Sequence, residues 1–500
     1  MTGERRLALI ALGITLLAFG LRFVGLAQRP LLPDEAYYWL WSRHLDWAYY
    51  DHPAGIALLV RLSTALGGSS EFGIRWLNAL LGTLCVALTI AVGRRMVTPG
   101  GGVPAGSLVA AGAPFLITAR FVYTDTLFLF LMLLNLYTFL VLPAVWPATP
   151  AHGEMQRPER RAWLPYLLFG LTLALLFNTK YTAYLYAAGL GGWLLWERRA
   201  SFREARLWLA VGIAAVGLLP VLSWNVMHDW GSFRWQFSHA VSSSPGATAA
   251  SGWLWRWLGN TRHALAYHTW PLAAAALAGA LALIRHRRSA PLRLSLWLAL
   301  LVGLPPFLSP AGSPRNLTGG LLVLLLSAGA WLREPGRWRT VALGSSALLL
   351  GCTALYGWGT MVPTFPYHSS ARHDIERETT GLHDLVAIVA AHPEHGLLAL
   401  DYSLAGQLWY YTGRPVATGW PQYRLWETPN LTNALIFSLD YLPGDAVEAV
   451  LQAAYTTVEG PYEGAAGNRA WRWWRAEYLR QQPADLLARL DFLTLWAASR

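Results

Sequence analysis

Long apolar runs separated by short polar connections dominate this chain. A helix needs roughly 17–25 apolar residues to cross a hydrocarbon core. Runs of this kind occupy 7–27, 72–93, 103–119, 126–144, 163–179, 181–196, 206–224, 268–284, 293–309, 316–332 and 340–362. The pattern predicts about eleven transmembrane helices. The first run is too long for an ordinary signal segment and no small-residue cleavage site follows it, so it is expected to be the first span. Residues 54–66 are apolar but short, and read as a helix lying in the interface.

After Pro363 the texture changes. An amphipathic stretch at 382–391, a strand-like 397–401, a helical 404–411 and strand-like 434–440 and 470–478 predict a small α/β domain. The expected architecture is a multi-pass α-helical membrane domain over 1–362, followed by an α/β domain over 363–500.

Charge sets the orientation. Arg5/Arg6, Arg94/Arg95, Arg157/Arg160/Arg161, Arg198/Arg199/Arg203, Arg285/Arg287/Arg288 and Arg333/Arg337/Arg339 fall on every second connection. Arginine concentrates in cytoplasmic loops, which puts the N-terminus and the 147–162 loop in the cytoplasm and the C-terminal domain outside the inner (cell) membrane. The net charge of +11 is therefore spread over loops and offers no surface for nucleic acid. Composition agrees with membrane lipids as surroundings: 54% of residues are hydrophobic and 13% charged, against about 25% charged in soluble domains. The 27 Trp and 21 Tyr suit the two membrane interfaces. Cys85 and Cys352 both lie in apolar runs, which supports neither a disulfide framework nor a thiolate metal site.

The outer connections 28–53, 120–125, 225–267 and 310–315 hold most of the polar chemistry. The first contains Pro33-Asp34-Glu35-Ala36-Tyr37-Tyr38-Trp39 and Tyr49-Tyr50-Asp51-His52-Pro53, an acidic pair beside an aromatic platform suited to sugars or lipid head groups. The plainer reading makes Asp34 a helix cap. Asp125 opens the fourth run on the same expected face, where an acid also favours a helix N-terminus. Arg120 is placed to pair with these acids or to meet an anionic substrate. Lys180 is the sole lysine among 39 basic residues, a compact cation suited to a phosphate or, alternatively, a snorkelling side chain. The segment 224–237, with Asn225 and His228 among its aromatics, suits an interfacial helix gripping a lipid-linked head group, or an ordinary aromatic anchor. His44, His52, His228 and His239 lack metal-site spacing, so no metal ligands are assigned.

DEAYYW with YYDHPA, YTDTLF, NTKYTA and SWNVMHDWGSFRWQF, in this order over roughly residues 1–310, resemble the bacterial family 39 glycosyltransferases of the GT-C fold, the protein-mannosyltransferase and aminoarabinose-transferase-like group. The resemblance implies inverting transfer of a sugar from a polyprenyl-phosphate donor to a glycolipid, glycan or protein acceptor at the extracytoplasmic face. It also implies Asp34 as catalytic base with Glu35 beside it, Asp125 as a second acid of the site, and Lys180 as a donor-phosphate contact. His52-Pro53-Ala54 departs from the expected His-Pro-Pro. Tyr37, Tyr50, His52, Arg120, Asn225 and His228 complete the expected substrate-binding set. No cofactor is implied with certainty, and assistance by a divalent cation stays open. The chemistry is consistent: a lipid phosphate is already a good leaving group, so one carboxylate and one or two cations suffice, and no nucleotide-binding glycine turn is required.

A transporter or flippase for lipid-linked sugars would instead carry polar residues at mid-membrane, and a scaffold would leave the acidic and basic residues scattered. The orientation is checked by cysteine labelling: an impermeant reagent on intact cells is expected to modify Ser499→Cys and not Ala151→Cys. The reverse pattern would overturn the topology.

Overall fold

The computed structural model describes residues 3–97, 100–146, 163–241, 270–305, 314–333, 378–440, 444–466 and 469–490, with Leu258, Leu348, Gly351 and Leu442 besides. The expected 147–162 loop and almost all of the expected 340–362 span lie outside the described residues. The chain divides into two compact units. The first comprises Met1–Leu26, Trp47–Leu59 and Arg75–Trp358, and the second Ala27–Asp46, Val60–Ile74 and Gly359–Arg500. Two N-terminal stretches thus join the segment expected to form the C-terminal domain alone.

The first unit is helical. α1 (Gly3–Phe23), most of helix Glu71–Met96, and helices Thr124–Phe139, Leu164–Phe177, Thr182–Glu197, Ala205–Val216, Leu219–Met227, Trp270–Arg285 and Thr318–Ala328 follow the apolar runs. Glu71–Met96 and Ala205–Met227 are each long and apolar enough to cross a membrane. Gly102–Ala111 and Pro114–Arg120 form a third candidate, bent by 57° where Pro114 interrupts the hydrogen-bond ladder. Among the described residues the other apolar helices are shorter, so two helices, or three with the bent pair, reach spanning length there. Helix Ala290–Leu298 continues through Ala299–Gly303 with a change to π-helical pitch.

Packing shows what this unit meets. Along Leu164–Phe177, Phe169, Leu173 and Leu176 are buried while Leu164 is 63% and Leu171 50% exposed. A helix that leaves leucines outside over its length is solvated by lipid rather than water. Between helices, Asn135 donates to Phe169 O and Thr172 Oγ1, both at 2.9 Å, and accepts from Tyr186 OH at 3.0 Å. Such bonds join helices where apolar burial alone gives little preference.

The second unit carries a five-stranded sheet. β1 (Gly396–Ala399), β2 (Val416–Ala417), β3 (Asn433–Leu439), β4 (Tyr455–Ala466) and β5 (Arg469–Leu479) are ordered β2-β1-β3-β5-β4. β1 pairs in parallel with β2 and β3, and β5 pairs antiparallel with β3 and β4. The strands expected near 397–401, 434–440 and 470–478 are present, and β4, an exposed edge strand with little apolar alternation, is added. One face buries Leu398, Ile436 and Trp474 against Leu451 and Tyr455. Helix Tyr402–Thr412 starts at Asp401, whose carboxylate accepts from Ser403 N–H at 2.8 Å, and ends at Gly413 with φ +67°.

Within this unit α2 (Pro33–Arg43) packs on helix Tyr402–Thr412. Gly406 is the close approach: a Cβ there would meet Tyr423 OH at 3.1 Å, Tyr37 N at 3.2 Å and Ala36 C at 3.4 Å. Gln407 donates to Leu31 O at 2.7 Å, Leu31 N–H donates to Tyr411 OH at 2.8 Å, and Tyr411 OH donates to Glu71 Oε1 at 2.9 Å. A helix 370 or so residues distant in sequence from α2 is thereby fastened to its start.

Candidate functional site

The expected site residues fall in both units. Asp34, Glu35 and Tyr37 belong to the second; Tyr50, His52, Arg120, Asp125, Lys180, Asn225 and His228 belong to the first.

In the first unit, Lys180 Nζ lies 2.8 Å from Asp125 Oδ1, both side chains nearly buried. Two turns bring them together. Asp125 occupies the first turn of helix Thr124–Phe139, and Lys180 follows the Asn178 cap of Leu164–Phe177. Asn178 Nδ2 donates to Gly217 O at 2.7 Å, and Asn178 O accepts from Gly55 N–H at 2.6 Å. A Cβ on Gly55 would come within 2.4 Å of that carbonyl, so only glycine lets the first outer loop approach.

That loop turns tightly, with Tyr49 N–H donating to His52 O at 2.9 Å. His52 is half-buried, and its Nδ1 is sealed from solvent with no hydrogen-bond partner among the described residues. Lys180, Asp125 and Arg315 all act on its charge. Arg315, in the short turn Pro314–Leu317, stacks over Tyr123 at 4.3 Å, two residues before Asp125. Sequence reasoning missed Arg315. Its signal was available: it is an arginine on a connection assigned to the outer side, where the concentration of arginine in cytoplasmic loops does not account for it.

The 224–237 segment holds this loop. Gln236 Nε2 donates to Asp51 O at 2.6 Å, Tyr50 packs edge-on to Trp224, and its ring lies where a Cβ on Gly231 would be. Tyr181 OH and Ser232 Oγ share a hydrogen bond. Asn225 is fully buried, donating to Val221 O and accepting from Phe233 N–H, while His228 stacks on Trp224 at 4.0 Å and bonds Trp224 O through Nδ1. Expected as substrate contacts, Asn225 and His228 are engaged in shaping the turn between two helices.

Arg120 is a correction. It does not pair with Asp125; its guanidinium is buried and donates to Leu21 O and Val24 O at the end of α1. A cation there satisfies carbonyls that a helix C-terminus leaves over and meets the negative end of its dipole. Arg22 does the same with Val109 O and Ala110 O, both at 3.0 Å, and Arg75 with Leu26 O at 2.7 Å.

In the second unit, the cap of α2 is not Asp34. The N-cap residue is Leu32, whose N–H donates to Glu35 Oε2 at 2.9 Å, and Glu35 is fully buried. Glu35 is thus the structural acid of the pair. Asp34 is half-buried, and Tyr402 OH approaches its Oδ1 at 3.4 Å. Tyr37 OH accepts from Trp420 Nε1 at 3.0 Å and its ring lies parallel to Tyr423 at 5.6 Å. His44 stacks on Trp426 at 4.9 Å. Among the described residues no three His, Cys, Asp or Glu side chains gather to hold a metal ion.

Burial holds the His52 imidazole far below its ordinary 6.5, at about 3, with Lys180 and Arg315 lowering it further and Asp125 opposing them. Between those two values the unfolded chain binds a proton that the folded chain refuses. Stability rises with pH across the window and is lost as pH falls from 6.5 toward 3. His52→Gln removes this slope, so melting temperatures of the detergent-solubilised pair are expected to converge from about pH 7.5 to about pH 5. Parallel decline of both proteins would show that another group titrates.

Residues 51–224 match a family model described as dolichyl-phosphate-mannose-protein mannosyltransferase. The chain is 30% identical over 224 residues to lipid A galacturonosyltransferase RgtD of Rhizobium johnstonii, covering 44% of this chain and 43% of that one. It is 28% identical over 224 residues to undecaprenyl phosphate-α-4-amino-4-deoxy-L-arabinose arabinosyl transferase 2 of Pseudomonas fluorescens, covering 43% and 37%. The matches thus span less than half the length of these curated relatives. The fold is shared more widely: the ArnT structure from Cupriavidus metallidurans in the apo state superposes with a TM-score of 0.59 at 16% identity, covering 98% of this chain and 99% of that one. The archaeal oligosaccharyltransferase AglB from Archaeoglobus fulgidus gives 0.54 at 13% identity, covering 88% and 70%. The likeness in sequence is thus to a mannosyltransferase family model over residues 51–224 and to two lipid-linked sugar transferases over less than half of each chain, and the fold is that of the ArnT structure over nearly the whole chain.

Proposed function

We propose that this protein is an inverting glycosyltransferase that moves a sugar from a polyprenyl-phosphate donor to a glycolipid, glycan or protein acceptor at the extracytoplasmic face of the inner membrane. The observation that carries the reading is the nearly buried Lys180–Asp125 pair, 2.8 Å apart, with Arg315 over the ring of Tyr123 two residues before Asp125. A diphosphate-free lipid phosphate needs one or two cations to accept the charge left when the sugar departs, and buried cations act there with little screening. Asp125 holds Lys180 in place before the donor arrives, an arrangement that also spares the ammonium an unpaired burial. The curated relatives are named for transfer onto lipid A and from undecaprenyl phosphate, and one ArnT structure is titled as bound to undecaprenyl phosphate.

Asp34 supplies the base. Glu35 fills the cap, so Asp34 is not required for it. In the reaction an acceptor hydroxyl attacks the anomeric carbon from the face opposite the phosphate, its proton passes to the Asp34 carboxylate, and the carbon–oxygen bond breaks with the electron pair retained by the lipid phosphate. Lys180 and Arg315 neutralise that phosphate.

Two measurements test these roles. Asp34→Asn keeps shape and removes the base, so transfer is expected to fall about 10²–10⁴-fold while undecaprenyl phosphate still binds; near-normal transfer would remove Asp34 from the mechanism. Lys180→Gln alone strands a buried carboxylate, so it is combined with Asp125→Asn, which removes both charges together. The double variant is expected to fold yet bind undecaprenyl phosphate at least about 10-fold more weakly, as loss of a charge-assisted contact implies. Full binding and transfer by the double variant would make the pair purely structural.

A further inference from the structure

We infer that Tyr402, from the helix that follows β1, is the positioning residue of the Asp34 carboxylate, so that the sheet-bearing segment contributes directly to acceptor activation. The inference rests on the reading of Asp34 as base. Four observations carry it, all within the second unit.

First, the Tyr402 hydroxyl reaches Asp34 Oδ1 at 3.4 Å. Second, Tyr402 has little freedom to leave. Its ring stacks on Trp420 at 4.8 Å and packs against Tyr37 at 5.2 Å, and its carbonyl accepts from Tyr423 OH at 3.0 Å. Third, the helix carrying it is bolted to the start of α2 through Gln407 and Tyr411, and Gln407 is itself held by Arg469, whose guanidinium donates to Gln407 Oε1 at 3.0 Å from β5. Fourth, Gly406 permits the close helix approach on which the Tyr402–Asp34 distance depends. A fold needing only to cover α2 would not require a hydroxyl at this position, because a phenylalanine ring would make the same stacks.

A general base has to be ionised before it accepts a proton, and its lone pair has to point at the acceptor hydroxyl. A phenol donating to one carboxylate oxygen fixes the plane of the group and with it the direction of the proton-accepting lone pair. Removing the donor releases that plane, so turnover falls while donor and acceptor still bind. Loss of packing alone lowers the amount of folded protein without lowering turnover per folded molecule.

The test uses the full chain in membranes of a host strain deleted for its own copy, supplied with that host's lipid extract as donor and acceptor. Product is quantified by mass spectrometry over a dilution series of that extract, which separates kcat from KM, and folded protein by fluorescence-detected melting. Tyr402→Phe is expected to lower kcat per folded molecule about 3- to 30-fold, the range of a hydrogen bond to a charged group weakened by its length. KM and undecaprenyl phosphate binding are expected to stay unchanged. Gly406→Ala, whose Cβ would press on Tyr423 OH and on the α2 backbone at Tyr37 and Ala36 while Asp34 and Tyr402 remain, is expected to lower kcat in the same way. Added to Asp34→Asn, Tyr402→Phe is expected to cause no further loss, because the two act as one unit. Near-normal transfer by Asp34→Asn would overturn the reading of the base and this inference with it. An inactive Asp34→Asn beside a Tyr402→Phe of normal kcat would overturn the inference alone. So would a Tyr402→Phe loss that adds fully to Asp34→Asn.

Discussion

A charge carried into an apolar unit has to find its partner there, and this constraint organises the first unit. Lys180 meets Asp125 at 2.8 Å. Arg22, Arg75 and Arg120 meet backbone carbonyls near the end of α1 and the end of the neighbouring Gly102–Ala111 helix. His52, with no such partner at Nδ1 among the described residues, is held neutral by burial. The two solutions have different chemical consequences. Carbonyl-bound arginines spend their donors on helix ends and serve the fold. An ammonium paired with a carboxylate keeps two further N–H donors for an incoming anion.

The same distinction separates the acids. Glu35 and Asp34 are adjacent, but a helix turns about 100° per residue, so neighbours point in different directions. Glu35 turns back onto the N-terminus of α2 and is consumed as a cap. Asp34 turns toward Tyr402 and remains half-buried. Adjacent carboxylates thus divide into a structural one and a chemical candidate without any difference in residue class large enough to announce it.

In the second unit, aromatic contacts give rigidity where sheet packing does not reach. Tyr37 meets Tyr402, Tyr423 and Trp426, and His44 meets Trp409 and Trp426, so α2 is gripped along its length by one segment of the C-terminal chain. Offset and edge-on ring pairs add about 0.5–1.5 kcal/mol each beyond the area they bury. Such a surface fixes the direction of a side chain at the helix start more firmly than a solvated loop would.

Local pattern alone determined the apolar runs, the alternation of arginine-rich and acidic connections, the helix at 382–391, the strands near 397, 434 and 470, and the presence of Asp34, Asp125 and Lys180 in polar turns between apolar helices. These properties depend on periodicity and composition over a few residues, and periodicity is written along the chain. Tertiary structure decided which polar groups meet. Asp125 and Lys180 are 55 residues apart, and Asp34 and Tyr402 are 368 apart. Arg120, expected to pair with the acids or to meet an anionic substrate, instead donates to Leu21 O and Val24 O at the end of α1, where a helix terminus leaves carbonyls over. Hydropathy likewise does not register a proline break or a change to π-helical pitch inside an apolar run, since neither alters how apolar the run is. Pairing across the chain depends on where distant turns are brought by packing, and hydrophobic pattern carries no information about which far-off residue will stand opposite.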